Sequence, residues 1–322
     1  MRRWSTGSMI LVALAAAAAS AVVSRSVTRD TGEATVAAAR TADGTPDFSG
    51  IWQANNEANW DLQAHEARPG AITQQGVYPY AYARVPAAPV LALGAAGGVP
   101  ASIGVVEGDG EIPYTPEAAA IRKENGEHWV DRDPELKCYL PGIPRAMYMP
   151  YPVQILQSAN KINMAFAFTS TARTIHLDKV EEPPDDTYMG HSVGRWEGDT
   201  LVVDVTRFNG KNWFDRAGNF HSDALHLVER FTPISRDAIR YEVTIEDPKV
   251  FTRPWRISMP LYRRLEPAME LLEYRCIEFV EEFLFGNLRK QQLVKRWEGE
   301  TMIIDITRKV PTGDKLYEWY RR

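Results

Sequence analysis

The chain has few cysteines, no cluster of basic residues and little extended hydrophobic sequence, and each shortage narrows the possible functions. Its 322 residues include two cysteines and carry a formal net charge of −5. Without a basic stripe, nucleic acid is not expected as a partner. After the first 21 residues, no apolar stretch approaches the ~20 residues that a membrane-spanning helix needs, so no integral span is expected in the mature chain.

Common cofactor-binding and metal-binding motifs are also missing. There is no Gly-x-Gly-x-x-Gly dinucleotide loop, although a Gly-x-Ser-x-Gly sequence occurs once, at 190–194. The glycine-rich stretch at 94–98 has no strand before it and no Lys-Ser or Lys-Thr after it, which argues against a phosphate loop. No His-x-His or His-x-x-x-His pair is present, so we predict neither a metal site nor a cofactor.

The N-terminus has the features of an export signal. A short basic start precedes an apolar run at 9–19, and Ala19-Ser20-Ala21 fits a small-x-small cleavage pattern. We therefore expect a signal peptide over 1–21 and a periplasmic or secreted protein, with an uncleaved anchor as the alternative. Residues 22–44 contain few large apolar residues and are expected to form a disordered tether.

The remaining residues, 45–322, are expected to form a single β-rich domain with one long insertion at 66–150. The first part of the insertion is rich in Ala, Pro and Gly, and proline and glycine both disfavour long regular elements. One short helix is predicted near 116–125, because Thr115 is a suitable N-cap and Pro116 suits the first helical turn.

From residue 151 onward the sequence is a series of short alternating segments separated by turn residues. The segments are rich in β-branched and aromatic residues, which predicts an antiparallel meander that closes into a barrel or a sandwich. Residues 278–292 are an exception, since their mixed periodicity suits a short helix. The predicted strands include 153–158, 161–168, 172–178, 200–206, 221–231, 238–247, 255–264 and 270–279.

One stretch of the sequence occurs twice. The 15-residue segments at 193–207 and 294–308 are identical at nine positions. In each copy a glycine at the first central position suits a type II′ hairpin turn, and alternation directs Asp204 and Asp305 outward. We interpret the copies as two equivalent hairpins of one sheet system, with a duplicated ligand site as the alternative.

The two cysteines, Cys138 and Cys276, leave two possibilities open. In an exported protein they can form one disulfide, which would join the segment before the first strong strand to a late strand. They can equally be two separate buried thiols.

Three motifs together resemble an uncharacterised group of exported bacterial proteins. They are CYLPGIPR at 138–145, GRWEGDTLVVDVTRF at 194–208 and HSDALHLVERF at 221–231. The resemblance covers roughly residues 45–290. It implies export but brings no established activity, so no catalytic residues are transferred from it.

A looser resemblance lies at the start of the folded domain. Gly50-Ile51-Trp52 is similar to the Gly-x-Trp motif of lipocalins and related calycin barrels. The resemblance implies that Trp52 closes one end of a barrel beneath an arginine, for which Arg207 and Arg308 are candidates. The expected fold is therefore mainly β: a calycin/lipocalin-like antiparallel barrel with a long irregular insertion and one or two short helices.

Polar residues are dense between 185 and 229. If 221–231 is a strand, alternation places His221, Asp223 and Glu229 on the same face as three apolar residues, toward the interior. A buried carboxylate beside an imidazole can act as an acid/base pair. We therefore predict a catalytic group of His221, Asp223 and Glu229 with His191. The alternative is that Asp223 caps a turn and Glu229 pairs with an arginine.

Aromatic and methionine side chains before and within this region are candidates for ligand contacts. They make adaptable apolar walls with polar tips, although the same residue types also build ordinary protein cores. The predicted ligand-binding residues are Arg145, Met147, Tyr148, Tyr188, Trp213 and Phe220.

Two classes of function remain from the sequence. The first is an exported barrel that binds a small hydrophobic molecule in an apolar cavity with a polar His/Asp/Glu cluster. The second is a cofactor-free acid/base enzyme, such as a hydro-lyase, isomerase, cyclase or hydrolase, that acts on a small apolar substrate in the same cavity. A structural envelope protein is a weaker third possibility. The sequence does not determine the oligomeric state.

Overall fold

A nine-stranded closed β-barrel forms the body of the protein. We analysed a computed structural model, which describes residues 37–69, 72–74, 83–85, 98–276, 294–298 and 301–305. Around the barrel the strands follow the order β1-β13-β12-β11-β10-β9-β8-β7-β6, and β1 pairs with β6 to complete the closure. The predicted mainly β, calycin-like barrel is confirmed. The strands are β1 Gly50–Ala54, β6 Val153–Gln157, β7 Lys161–Phe166, β8 Ala172–His176, β9 His191–Glu197, β10 Thr200–Thr206, β11 His226–Ser235, β12 Ala238–Glu246 and β13 Trp255–Arg263.

Regular alternation fills the barrel with apolar side chains. On β10, Leu201, Val203 and Val205 are fully buried members of the core, while Asp204 is half-exposed on the opposite face, as predicted. Residues at the same inward phase on the neighbouring strands, among them Leu227 and Val243, are also inaccessible to solvent. The alternation that predicted strands therefore also determined which face of each strand points inward.

The insertion completes the barrel wall where β1 ends. β1 pairs with β13 only through Arg263, Tyr262 and Leu261. Farther along β13, residues 105–107 take over the pairing: Ser258 N donates to Val105 O at 3.0 Å, and Glu107 N donates to Arg256 O at 2.9 Å. The free edge of β13 is thereby covered, which prevents pairing with another chain.

Within the insertion the strands are very short and the helices are few. β2 (Arg68–Pro69) pairs with β5 (Gly98–Val99), and β3 (Ile72–Gln74) pairs with β4 (Ala83–Val85). Helix α1 spans Pro116–Glu127, and the side chain of its predicted N-cap residue, Thr115, accepts from Ala118 N at 3.2 Å. Helices α2 (Trp129–Arg132) and α3 (Arg145–Tyr148) and a 3₁₀ turn (Pro134–Lys137) follow. None of the helices in the described part of the chain is long and apolar enough to cross a membrane.

The repeated sequence forms equivalent pairs of strands twice, but in two sheets. β9 and β10 pair from Thr200↔Glu197 onward, and β14 (Val294–Glu298) pairs with β15 (Thr301–Asp305) in the equivalent register. Gly198 has a φ of +60° and Asp199 does not have a positive φ, as a type II′ turn requires. The expectation of one sheet system is wrong, because β14 and β15 form a two-stranded sheet of their own.

Trp52 lies beneath an arginine at one end of the barrel, but not beneath either of the two predicted ones. The guanidinium of Arg263 on β13 lies 4.2 Å from the centroid of the Trp52 ring, and its Nη1 donates to Ser49 O at 2.6 Å. Arg207 instead forms an ion pair with Asp186, with Nε and Oδ1 3.1 Å apart. Arg308 lies outside the described residues. Sequence alone did not reveal that β13 is the neighbour of β1.

Cys138 and Cys276 form a disulfide, so the first of the two alternatives is correct. It joins the insertion to the segment after β13. The predicted strand at 270–279 is wrong over 270–276, which has no regular secondary structure and leaves Leu272 73% exposed. The predicted helix at 278–292 lies outside the described residues. Residues 37–44, at the end of the predicted tether, contact the barrel through an exposed ion pair between Arg40 and Asp199.

The Trp52–Arg263 contact can be tested through Gly50. Gly50 has a φ of +138°, and a Cβ added there would overlap Nη1 of Arg263. Gly50→Ala should therefore displace Arg263 from Trp52. Because it loses the cation–π contact in addition to straining the backbone, it should lower the free energy of unfolding by about 2–4 kcal/mol, as measured by urea denaturation.

Gly108→Ala is the matched control. Gly108 also has a positive φ, of +80°, but an added Cβ would meet no heavy atom within 4 Å. This variant should show the backbone cost alone, about 1–2 kcal/mol. Equal losses in the two variants would show that the packing of Arg263 on Trp52 contributes nothing measurable.

Candidate functional site

A buried ion pair crosses the inside of the barrel. Arg173 on β8 and Glu229 on β11 are 4% and 0% exposed. Both guanidinium Nη atoms donate to the Glu229 carboxylate, with Nη1 3.0 Å from Oε1. Tyr241 Oη also donates to Oε1, at 2.6 Å, and Arg173 Nε donates to Ser192 Oγ at 2.9 Å. The alternative in which Glu229 pairs with an arginine is therefore correct.

The wall of the barrel has one weak seam, between β8 and β9. These strands run parallel, whereas every other pair in the barrel is antiparallel. Their pairing consists of Ile175↔Ser192 and His176↔Val193. Residues 172–174 extend beyond the paired region, and the chain reaches β9 through the connection 177–190. A parallel neighbour requires such a crossover connection, which the predicted meander did not include.

A recess of about 590 Å³ lies at this seam, within the size range of small-molecule sites. We call it the β8–β9 recess. It contains side chains from both strands, from the crossover connection and from the insertion. Its lining residues are Leu140, Ala172, Arg173, Thr174, His176, Pro183, Asp186, Thr187, Tyr188, Met189, Gly190, His191, Ser192 and Asn209.

Two imidazoles lie side by side in the β8–β9 recess. The ring centroids of His176 and His191 are 5.6 Å apart. The pKa of His191 is lowered, first by burial and then by the neighbouring His176, so its neutral form is favoured near pH 7. Within the described residues, Nε2 of His191 is buried and has no hydrogen-bond partner. A neutral imidazole of this kind can exchange a proton with a bound molecule.

The predicted catalytic group is not assembled as expected. β11 begins at His226, so residues 221–225 precede the strand and do not follow its alternation. His221 is buried, with its ring centroid 5.2 Å from that of Phe214 and its Nδ1 2.8 Å from Ser222 O. Burial lowers the pKa of His221.

Asp223 lies on the surface rather than inside the barrel. Its side chain is 58% exposed and pairs with Lys249 at 2.6 Å, so the prediction that it faces the interior is wrong. The physical reason is the tight turn before β11, in which Ser222 Oγ donates to Asp247 at 2.9 Å and accepts from Ala224 N at 3.0 Å. His221, Asp223 and Glu229 therefore have separate partners.

The predicted ligand residues on helix α3 are core residues, the alternative that the sequence left open. Arg145, Met147 and Tyr148 are 1–2% exposed. Arg145 donates to both oxygens of Asp133, at 2.7 and 2.8 Å, and to Glu135 at 3.1 Å. Tyr148 Oη donates to Phe214 O at 2.9 Å. The lining of the β8–β9 recess includes none of these three side chains.

Of the remaining predicted ligand residues, Tyr188 lines the recess and the other two do not. Tyr188 stacks on Tyr139, with ring centroids 5.9 Å apart. Trp213 and Phe220 are half-buried partners in an isolated antiparallel bridge, and Phe220 stacks on Tyr114. The structure thus brings together two of the predicted site residues, Tyr188 and His191.

Arg173, His176 and Ser192 were missed by sequence reasoning. Each lies on a segment correctly predicted or observed as a strand, but their proximity depends on β8 and β9 being parallel neighbours. A weak signal was available: the polar stretch at 177–188 is too long for a hairpin turn.

Asp215 is a further buried polar group in the dense region. It accepts hydrogen bonds from Leu62 N, Ala217 N and both nitrogens of Asn219. Burial, followed by the charge of Asp61, raises its pKa to about 7, while these donors oppose the rise. Its bonds connect the segment after β1 to the 215–219 turn, which is a structural role. Across the described residues, no group of three or more His, Cys, Asp or Glu side chains is arranged to hold a metal ion.

Comparison with known proteins gives little further information. No family model matches the chain, and no curated protein matches it. Among solved structures, the chain is similar to a mutant of the fluorescent protein UnaG, with 16% sequence identity over 41% of this chain and 87% of that chain and a TM-score of 0.23. At this TM-score the likeness carries no argument. The resemblance to a group of exported proteins stays a prediction.

The buried ion pair gives a direct test of the barrel interior. Glu229→Gln would leave the Arg173 charge without its counter-ion in a site closed to solvent, so the free energy of unfolding should fall by about 3–5 kcal/mol in urea denaturation. Replacing both partners, as Arg173→Met with Glu229→Leu, should recover most of that loss, because no unpaired charge remains.

Glu197→Gln is the surface control for this test. Glu197 also pairs with arginines, at 3.0 Å from both Arg195 and Arg230, but its side chain is 41% exposed. Its removal should cost about 1 kcal/mol or less. A Glu229→Gln variant as stable as Glu197→Gln would contradict a closed ion pair inside the barrel.

Proposed function

We propose that this protein binds a small molecule with an apolar portion in the β8–β9 recess and that it does so outside the cytoplasm. The observation that carries the proposal is the opening at the only parallel seam of the barrel, where apolar and polar side chains converge. Leu140, Pro183 and Met189 supply apolar surface, while His176 and His191 supply polar groups. Such a mixture is typical of ligand pockets, in which apolar contacts provide affinity and a few polar groups provide orientation.

Two observations support a location outside the cytoplasm. The N-terminal segment has the composition of an export signal. The Cys138–Cys276 disulfide is a feature of proteins from oxidising compartments. The disulfide also anchors the segment beside the recess, because Tyr139 and Leu140 follow Cys138 directly and Leu140 lines the recess.

Filling the recess tests the binding proposal. Ala172 lines it and is exposed, so Ala172→Phe places a large ring in the opening without disturbing the core. Binding of the neutral fluorescent probe N-phenyl-1-naphthylamine, followed by its fluorescence increase, should weaken by about tenfold or more, because the apolar contact surface is then occupied.

Leu156→Phe is the matched control. Leu156 is 52% exposed on β6 and does not line the recess, so the added ring should leave probe binding unchanged. Unchanged binding in Ala172→Phe would place the probe elsewhere and contradict the proposal.

Acid/base catalysis is a second candidate function, favoured by the neutral imidazole of His191. If a substrate binds here, His191 is the proton acceptor and His176 is its neighbour. Turnover of apolar metabolites, followed by mass spectrometry, should be lost in His191→Gln and should fall as the solution is acidified through the lowered pKa of His191.

His221→Ala provides the comparison for this second candidate. His221 has no place in the recess, so a folded His221→Ala protein should keep its turnover. Turnover that survives His191→Gln would exclude His191 as the base.

A further inference from the structure

We propose that the ligand of the β8–β9 recess is an amphipathic anion. Its acidic group would lie against Arg173 and the two imidazoles, and its apolar part would cover Leu140, Pro183 and Met189. This inference rests on the proposed function and adds the chemical class of the ligand.

Arg173 can serve as the anchor for an acidic group. A guanidinium has five N–H donors, and the hydrogen bonds of Arg173 use three of them, two to Glu229 and one to Ser192. Arg173 lines the recess at its inner end with a side chain that is only 2% exposed, and within the described residues two of its donors have no acceptor, so we place the acidic group of the ligand against them. Because Glu229, Ser192 and Tyr241 hold the carboxylate and guanidinium in place, the donors are preorganised.

The charges around the recess leave His191 as the group whose charge can change. Arg173 is neutralised by Glu229, and Arg207 pairs with Asp186. The other charges acting on His191 are Glu182, which favours its protonation, and Arg207 and His176, which oppose it. With a neutral His191 the recess therefore has no excess positive charge, and protonation of His191 adds one.

An anion and protons should consequently bind together. Burial opposes a charged imidazole in the empty recess, but an acidic group nearby offsets that cost. Among the described residues, Nε2 of His191 is buried and has no hydrogen-bond partner. A polar atom without a partner is expected where a ligand supplies the missing hydrogen bond. Affinity for an anion should rise as pH falls through the lowered pKa of His191.

Three probes with the same octyl chain test the proposal by isothermal titration calorimetry. They are 1-octanesulfonate, which stays ionised throughout, neutral 1-octanol and octyltrimethylammonium. At about pH 6 the sulfonate should bind about tenfold or more tighter than octanol, and the difference should shrink to a few-fold at about pH 8. The cation should bind more weakly than octanol at both pH values.

Different outcomes separate this inference from the proposed function. Octanol binding as tightly as the sulfonate at the lower pH, or a preference for the cation, would overturn the anion assignment and leave the apolar site intact. Failure of all three probes, together with failure of the neutral dye, would overturn the proposed function as well.

Variants then test the role of the imidazoles. A His176→Gln/His191→Gln double variant should lose the pH dependence of sulfonate binding and bind about tenfold more weakly at the lower pH. His226→Gln is the control, because His226 lies on the outer face beside Asp204 and Glu246 and should leave binding unchanged. Thermal unfolding checks that both proteins fold. If sulfonate binding by the folded double variant still depends on pH, the role assigned to the imidazoles is wrong.

Discussion

Closure of the barrel is the constraint on which the rest of the structure depends. A sheet edge with free N–H and C=O groups must be paired or covered, and β1 is too short to cover β13 by itself. The insertion supplies the missing pairing through residues 105–107. Residues 98–150 of the insertion are held in place by a buried set of charged hydrogen bonds: Arg145 donates to Asp133 and Glu135, and Glu135 also accepts from Arg216, which lies outside the insertion.

The same closure produces the candidate functional site. A nine-membered ring of strands joined by hairpins cannot stay antiparallel throughout, since an odd number of strands leaves one pair parallel. Here that pair is β8 and β9, joined by a crossover and paired at two positions. At this seam the side chains of Arg173, His176 and His191 line one recess. Arg173 approaches it from inside the barrel, and the two histidines lie at the two ends of the crossover connection. The proposed function and the proposed preference for an acidic ligand both rest on this topology.

Buried charge in the barrel is costly, and its arrangement explains why it is retained. A closed Arg–Glu pair seldom stabilises a protein more than apolar residues of the same size would. Arg173 and Glu229 nevertheless occupy the interior, where Tyr241 and Ser192 complete their hydrogen bonds. Under the proposed function, a rigidly held guanidinium would orient the ligand, and this use would offset the cost in stability.

The sequence by itself determined the local structure: the strands from their alternation, the type II′ turn from Gly198, and helix α1 from its cap. It also determined that Cys138 and Cys276 could pair, but not that they would. Only the tertiary structure decided which strands are neighbours. Alternation gives the face of each residue but not the order or direction of the strands, so Arg263 above Trp52 and Arg173 beside His191 could not be predicted. One local error had the same root: the strand assumed to begin at His221 begins at His226, because hydrogen bonds from Ser222 to the distant Asp247 hold the intervening residues in a turn.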